Sequence, residues 1–242
     1  MKVAVIGAGG VGGYFGARLA QAGHDVTFVA RGRHLAAIRE HGLAIESALG
    51  DATVRCPATD DLSALGPVDV AMLCVKLWDV EATAPKIAGI VSNGGVVIPF
   101  QNGVESADRV AALLGPSHVL GGVAYIAATI RAPGVIAHTG TMARLRVGAF
   151  PGGPEDRAAA FADACRSAGV EIEHTPDIRR ALWEKFVFLA SFSGITSAAR
   201  SPIGVVRSDP DLRALLETAM REVWSVGVAR GVALPDDFVA KQ

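Results

Sequence analysis

The chain opens with MKVAVIGAGGVGG, and no other stretch constrains its fold as much. Val3 to Ile6 is a short apolar run that reads as a β-strand. Gly7, Gly9 and Gly12 follow with the spacing G-x-G-x-x-G, and Tyr14 to Gln21 reads as a helix. In a strand–turn–helix context this spacing predicts a dinucleotide-binding turn. Gly7 permits the tight turn, Gly9 lets the backbone approach a pyrophosphate, and Gly12 lets the helix pack closely on the strand. The helix N-terminus then offers free N–H groups and partial positive charge to the phosphates.

Asp25 to Ala30 (DVTFVA) reads as the second strand, and Arg31 follows it, with Arg33 two residues on. NAD-binding chains usually carry Asp or Glu about 20 residues past the fingerprint, where the carboxylate binds the ribose 2′-OH. Here a guanidinium occupies that place, and a guanidinium can grip a 2′-phosphate in bidentate fashion. The expectation is therefore NADP(H) over NAD(H), with no carboxylate present to repel the phosphate.

The remaining sequence narrows the class. The 242 residues suffice for one large domain or two modest ones. A net charge of −1 gives no reason to expect a nucleic-acid or anionic-membrane partner. The longest apolar stretches, such as Val68 to Val75, have strand length and fall far short of a membrane span. No charged segment with an apolar stretch precedes the first strand, so no signal peptide is expected. Cys56, Cys74 and Cys165 are odd in number and scattered, which fits a reduced, cytoplasmic protein. The histidines are dispersed and read as surface or packing residues, and no metal site is expected.

Strand and helix patterns alternate through the first half. Helical stretches are His34 to Glu40, Val80 to Ile90, Glu105 to Leu114 and Glu155 to Ala168. Strands are Leu43 to Glu46, Thr53 to Cys56, Asp69 to Val75, Val96 to Pro99, Val119 to Thr129, Val135 to Thr139, Arg144 to Val147 and Val170 to Glu173. The near-continuous apolar run DVAMLCV suits a parallel strand buried on both faces. This alternation predicts an α/β fold, a doubly wound parallel sheet of Rossmann type over residues 1–176. Long helices over Arg179 to Ala199 and Asp211 to Arg230 then predict an all-helical domain, 177–242, which the reading expects to be incomplete at Gln242.

Three side chains stand out for chemistry. Lys76 follows the DVAMLCV strand, and in an open α/β sheet ligands bind beyond the carboxyl ends of strands. It reaches a phosphate or carboxylate, or simply caps the strand. Asn102, in the QNG run after VVIPF, occupies the same edge and can serve the nicotinamide, its ribose or the substrate, although Asn-Gly is also a common turn dipeptide. Lys185 lies in LWEKFVFLASF, apolar nearly all round and so expected to be buried. Desolvation lowers a lysine pKa and makes it a usable proton donor near neutral pH. The alternatives are a lysine that snorkels to the surface or one paired with a carboxylate.

The ordered set VIGAGGVG, Arg31, VKLWDV, QNGV and RRALWEKF resembles the ketopantoate reductase (2-dehydropantoate 2-reductase) family along almost the whole chain. The resemblance implies NADPH-dependent reduction of 2-dehydropantoate to (R)-pantoate, on the route to pantothenate and coenzyme A. It implies that Gly7, Ala8, Gly9, Gly10, Val11 and Gly12 hold the pyrophosphate, and that Arg31 and Lys76 serve the 2′-phosphate end. Asn102 serves the nicotinamide end, Ala128 a backbone cofactor contact, and Lys185 is the proton donor and substrate contact. The substrate residues are then Lys185, Asn102 and Ser193. Well-studied members carry asparagines four and eight residues after the lysine, where this chain has Leu189 and Ser193, so another 2-oxo acid is an alternative substrate. A non-catalytic NADP(H)-binding sensor would keep the fingerprint and Arg31 but have no use for Lys185. A homodimer is the expected assembly.

Overall fold

Strand β1 (Lys2–Ile6) is buried from Val3 onward, as expected of the centre of a parallel sheet covered on both faces. The structure, a computed structural model, describes residues 1–242. After β1 come α1 (Gly10–Gln21), β2 (Asp25–Val29), α2 (Gly32–His41), β3 (Leu43–Ser47), β4 (Ala52–Val54), β5 (Ala58–Thr59) and β6 (Val70–Leu73). Then follow α3 (Val80–Ile87), β7 (Val96–Pro99), α4 (Ser106–Leu114), β8 (Leu120–Ala132), β9 (Val135–Ala149), α5 (Glu155–Ser167) and β10 (Glu171–His174). The last elements are α6 (Ile178–Ala199), α7 (Ile203–Ser208), α8 (Pro210–Ala229) and α9 (Phe238–Lys241).

The chain divides into two units, residues 1–101 with 105–178, and residues 102–104 with 179–242. In the first unit a parallel sheet runs β5-β2-β1-β6-β7. Alternate residues of each strand face opposite sides, and two cores result. Val3 and Val5 of β1, Phe28 of β2 and Met72 of β6 join Phe15 of α1 and Phe161 of α5. Ala4 and Ile6, with Ala71 and Leu73, meet Val80 and Ile87 of α3 and Val110 of α4 on the other side. The doubly wound arrangement expected from the sequence is thus present. The strand order reverses between β1 and β6, which opens a crevice at their carboxyl ends.

The sequence reading missed a second sheet, β10-β9-β3-β4, with β8 paired antiparallel to β9. Its inner residues Leu43, Ile45, Ile136, Leu145 and Val147 share the first core. Two strand readings, 135–139 and 144–147, merge into the single β9. The pairing jumps from Ile126↔Ala143 to Ala128↔His138, so residues 139–142 are carried outside the ladder. They are exposed, and their polar character broke the apolar pattern. Helix α3 ends at Ile87 rather than Ile90, because the chain turns there and buries Ile90 and Val91.

In the second unit Trp183 and Val187 of α6, Val206 of α7, Leu216 and Met220 of α8, and Phe238 of α9 form one apolar cluster. Asp209 caps α8, its carboxylate accepting from the N–H groups of Asp211 and Leu212, both at 3.0 Å. Helix α7 was absent from the sequence reading; at six residues it is too short to show a helical period. No helix is long and apolar enough to cross a membrane.

One contact fixes how α1 lies on the sheets. A Cβ added to Gly10 would stand 2.0 Å from the Ala128 carbonyl oxygen of β8. Gly10→Ala must therefore push α1 and β8 apart, and the cost expected of such overpacking is about 1–3 kcal/mol. Chemical denaturation of the two proteins should show that loss; equal stability would mean that the helix is not held this closely.

Candidate active site

The turn after β1 is shaped by its glycines and by β6. Gly7 has φ +100°, and a Cβ there would lie 2.8 Å from the Cys74 carbonyl carbon, so the turn admits only glycine. The Gly7 and Ala8 N–H groups donate to the Val29 carbonyl oxygen at 3.0 and 3.2 Å. Gly9 is the N-cap of α1 and has open space where a Cβ would be. No side chain caps the helix and no acidic residue sits in its first turn. Its first N–H groups and the positive end of its dipole are therefore available to an anion.

A cleft of about 750 Å³ extends from this turn along the carboxyl ends of the strands, within the size range of cofactor sites. Gly7, Ala8, Gly9, Arg31 and Lys76, five of the residues singled out from the sequence, line it together. Gly10, Val11 and Gly12 lie behind them in the first turn of α1, where Val11 packs on the core. Ala128 is placed against α1 through its carbonyl at Gly10. Arg31 is extended and exposed at the N-cap of α2. The expectation of a cleft without carboxylates is corrected: Asp60 and Asp61, which follow edge strand β5, share it. They escaped the sequence reading because parallel pairing of β5 with β2, not chain proximity, carries them beside Arg31. Asp60 lies 3.9 Å from the Arg39 guanidinium. Hydrogen bonds from the Ser63 hydroxyl and then its backbone N–H hold the Asp61 carboxyl below the usual carboxylate range.

Two further residues were missed. Gln101 is buried, and its amide NH₂ donates to the Leu73 and Val75 carbonyl oxygens, both at 2.9 Å, while its Oε1 is buried without a partner. A buried acceptor left unpaired is costly. His34, read as a surface or packing histidine, lines the cleft. The fingerprint alone could not flag either, since both depend on contacts with segments distant in sequence.

The second unit holds Lys185 and Asn102. The Lys185 ammonium donates to Asn102 Oδ1 at 2.8 Å. An ammonium has only donors, so the amide oxygen must face it and the amide NH₂ is turned elsewhere. Lys185 is half-buried rather than enclosed, because α6 buries Leu182, Trp183 and Val187 and turns other positions outward. Burial still pushes its pKa down to about 8. Leu189 lies one turn further along α6, partly buried, and Ser193 two turns further, exposed. At about 1.5 Å per residue, Ser193 stands roughly 12 Å along the axis from Lys185, so the helix does not bring these two together.

Comparison with known proteins places this geometry. The family described as "Ketopantoate reductase PanE/ApbA" matches residues 3–152, and its C-terminal companion matches residues 177–242. The chain belongs to the ketopantoate reductase family. It is accordingly an oxidoreductase. It is 30% identical to a 2-dehydropantoate 2-reductase of Mesorhizobium japonicum, over 97% of this chain and 78% of that one. A crystal structure of a family member from Ralstonia eutropha JMP134 superposes with a TM-score of 0.88 at 34% identity, covering 100% of this chain and 78% of that one. D-mandelate dehydrogenase, solved with NADH and anilino(oxo)acetate, shares the fold at TM-score 0.89 and 20% identity, with 100% and 78% covered. Ketopantoate reductases use a nicotinamide cofactor. The residues here fit one: open space at Gly9, an uncapped helix N-terminus, the cations Arg31, Lys76 and Lys86 in the cleft and an orphaned buried amide oxygen.

Gly9→Ala tests the turn. Nothing crowds the new methyl, so thermal stability should stay close to the parent. A pyrophosphate approaching the same backbone would meet it, so dinucleotide affinity should fall at least tenfold in a fluorescence titration. Unchanged affinity would mean that phosphates do not approach there.

Proposed function

We propose that this chain reduces 2-dehydropantoate to (R)-pantoate with NADPH. The observation that carries the reading is Lys185, held by Asn102 with a pKa near 8, at the position matching the family's proton donor. A nicotinamide held in the cleft would supply hydride to the C2 carbonyl carbon. The carbonyl oxygen gains negative charge as the C=O π bond opens, and the Lys185 ammonium gives it a proton. With a pKa near 8 the ammonium is populated at neutral pH and yields its proton far more readily than an ordinary lysine. Asn102 accepts one N–H and so aims another at the substrate oxygen, while its own NH₂ remains to bind the cofactor or the substrate. In the first unit Gly7 to Gly12 hold the pyrophosphate, and Arg31 and Lys76 bind the 2′-phosphate. Asp60 and Asp61 oppose that charge, and their engagement with Arg39 and Ser63 lessens the opposition. Residues 1–176 thus serve the cofactor and 177–242 the substrate.

A second reading, reduction of a different 2-oxo acid, rests on Leu189 and the distant Ser193. A site that hydrogen-bonds substrate oxygens discriminates strongly through those groups, and Leu189 offers none. Turnover of a panel of 2-oxo acids separates the two readings: 2-dehydropantoate should give the highest kcat/KM under the first, and a substrate with an apolar substituent under the second.

Arg31→Ala should weaken NADPH by about 1.5–3 kcal/mol, the worth of a charge-assisted contact, and leave NADH nearly unchanged. Equal losses would remove Arg31 from the 2′-phosphate site. Lys185→Ala should lower kcat by roughly 10²–10⁴-fold, the usual contribution of a positioned acid, with cofactor affinity nearly intact. Lys185→Arg should fail almost as badly, since arginine does not release its proton. Because the donor is the protonated form, wild-type turnover should be highest below about pH 8 and decline as pH rises through that value. A flat profile, or an alanine variant within a few-fold of wild type, would end the assignment.

A further inference from the structure

His34, in the first turn of α2, is tied to two loops. Its Nε2 lies 2.7 Å from the Ala8 carbonyl oxygen, and the Gly134 backbone N–H, in the turn between β8 and β9, donates to its Nδ1 at 3.0 Å. An amide N–H can only donate and a carbonyl oxygen can only accept. Nδ1 is therefore bare and Nε2 carries the proton, so the two bonds together require the neutral ring in a single tautomer. The Ala8 carbonyl belongs to the peptide that contains the Gly9 N–H. That peptide is planar and trans, so holding its oxygen toward His34 directs the Gly9 N–H the opposite way.

We propose that His34 is a positioning residue for the cofactor: donating from Nε2 to the Ala8 carbonyl oxygen while Nδ1 accepts from the Gly134 N–H, it orients the Ala8–Gly9 peptide for phosphate binding. Charged groups sharing the cleft are Arg31, Lys76 and Lys86 of one sign and Asp60, Asp61 and Asp79 of the other. Arg33 is on the same element, and near the β8–β9 turn Arg131 is paired with Glu46. The inference rests on the reading of the cleft as the cofactor site.

The test is calorimetric titration of NADP⁺ and NAD⁺ into the full chain at about pH 8, for the parent, His34→Gln and His34→Ala. Glutamine offers an amide N–H donor and an oxygen acceptor but does not titrate. At pH 8 His34→Ala should bind roughly tenfold more weakly, the scale of one or two lost neutral hydrogen bonds, and His34→Gln should stay within a few-fold of the parent. An unimpaired alanine variant, or a glutamine variant as weak as alanine, would overturn the proposal. Failure of the parent to bind either nucleotide would overturn the cofactor reading itself. Binding of NAD⁺ alone would overturn only the Arg31 assignment, with the same comparison of variants then read on NAD⁺. Independently of any variant, ¹⁵N spectra of the parent's imidazoles should show His34 as the Nε2–H tautomer at neutral pH; the Nδ1–H tautomer would refute the bridge.

Discussion

The closeness of α1 to the strands around it is the constraint on which the first unit depends. A side chain at Gly10 would collide with the β8 backbone, and one at Gly7 with the β6 backbone. Removing those side chains lets one helix be held by both sheets at once, with Phe15 fully buried in the core they share. The same closeness leaves the N-terminus of α1 at the carboxyl ends of β1 and β6, uncapped and without a neutralising carboxylate. Close packing and an uncapped helix N-terminus thus follow from one local requirement. Had the helix been capped by its own side chain, its N–H groups would have been satisfied internally and the dipole partly offset.

Charge in the cleft is balanced rather than uniformly positive. Arg31 and Lys76 stand at the ends of β2 and β6, and Asp60 and Asp61 at the end of β5. The aspartates are engaged by Arg39 and Ser63, which tempers their field without removing it. Under the proposed function, preference for a 2′-phosphate over a 2′-hydroxyl is a difference between attraction to the guanidinium and repulsion from the neighbouring strand. In the second unit a different balance holds for Lys185. It donates to the neutral amide oxygen of Asn102, and burial prevails in lowering its pKa.

The sequence by itself determined a good deal. The glycine spacing specified the β1–α1 turn, because backbone conformation and close approach there are properties of single residues. The apolar run around Val70–Leu73 marked a doubly covered strand, and α6 and α8 were legible because their length, 22 and 20 residues, carries the helical pattern over several turns. Arg31, Lys76, Asn102 and Lys185 stood out as polar residues at strand ends or on an apolar helix. Only the tertiary structure decided what each of them touches. The 2.8 Å bond between Lys185 and Asn102 joins residues 83 apart in the chain, the bridge from His34 to Gly134 spans 100, and Asp61 reaches the cleft through strand pairing. The second sheet was hidden for the same reason. Its strands join into one sheet only because β3 and β10 pair with β9 across long stretches of chain. Local backbone requirements are written residue by residue, whereas hydrogen-bond partners, burial and the pKa shifts that follow from them exist only once the chain has folded.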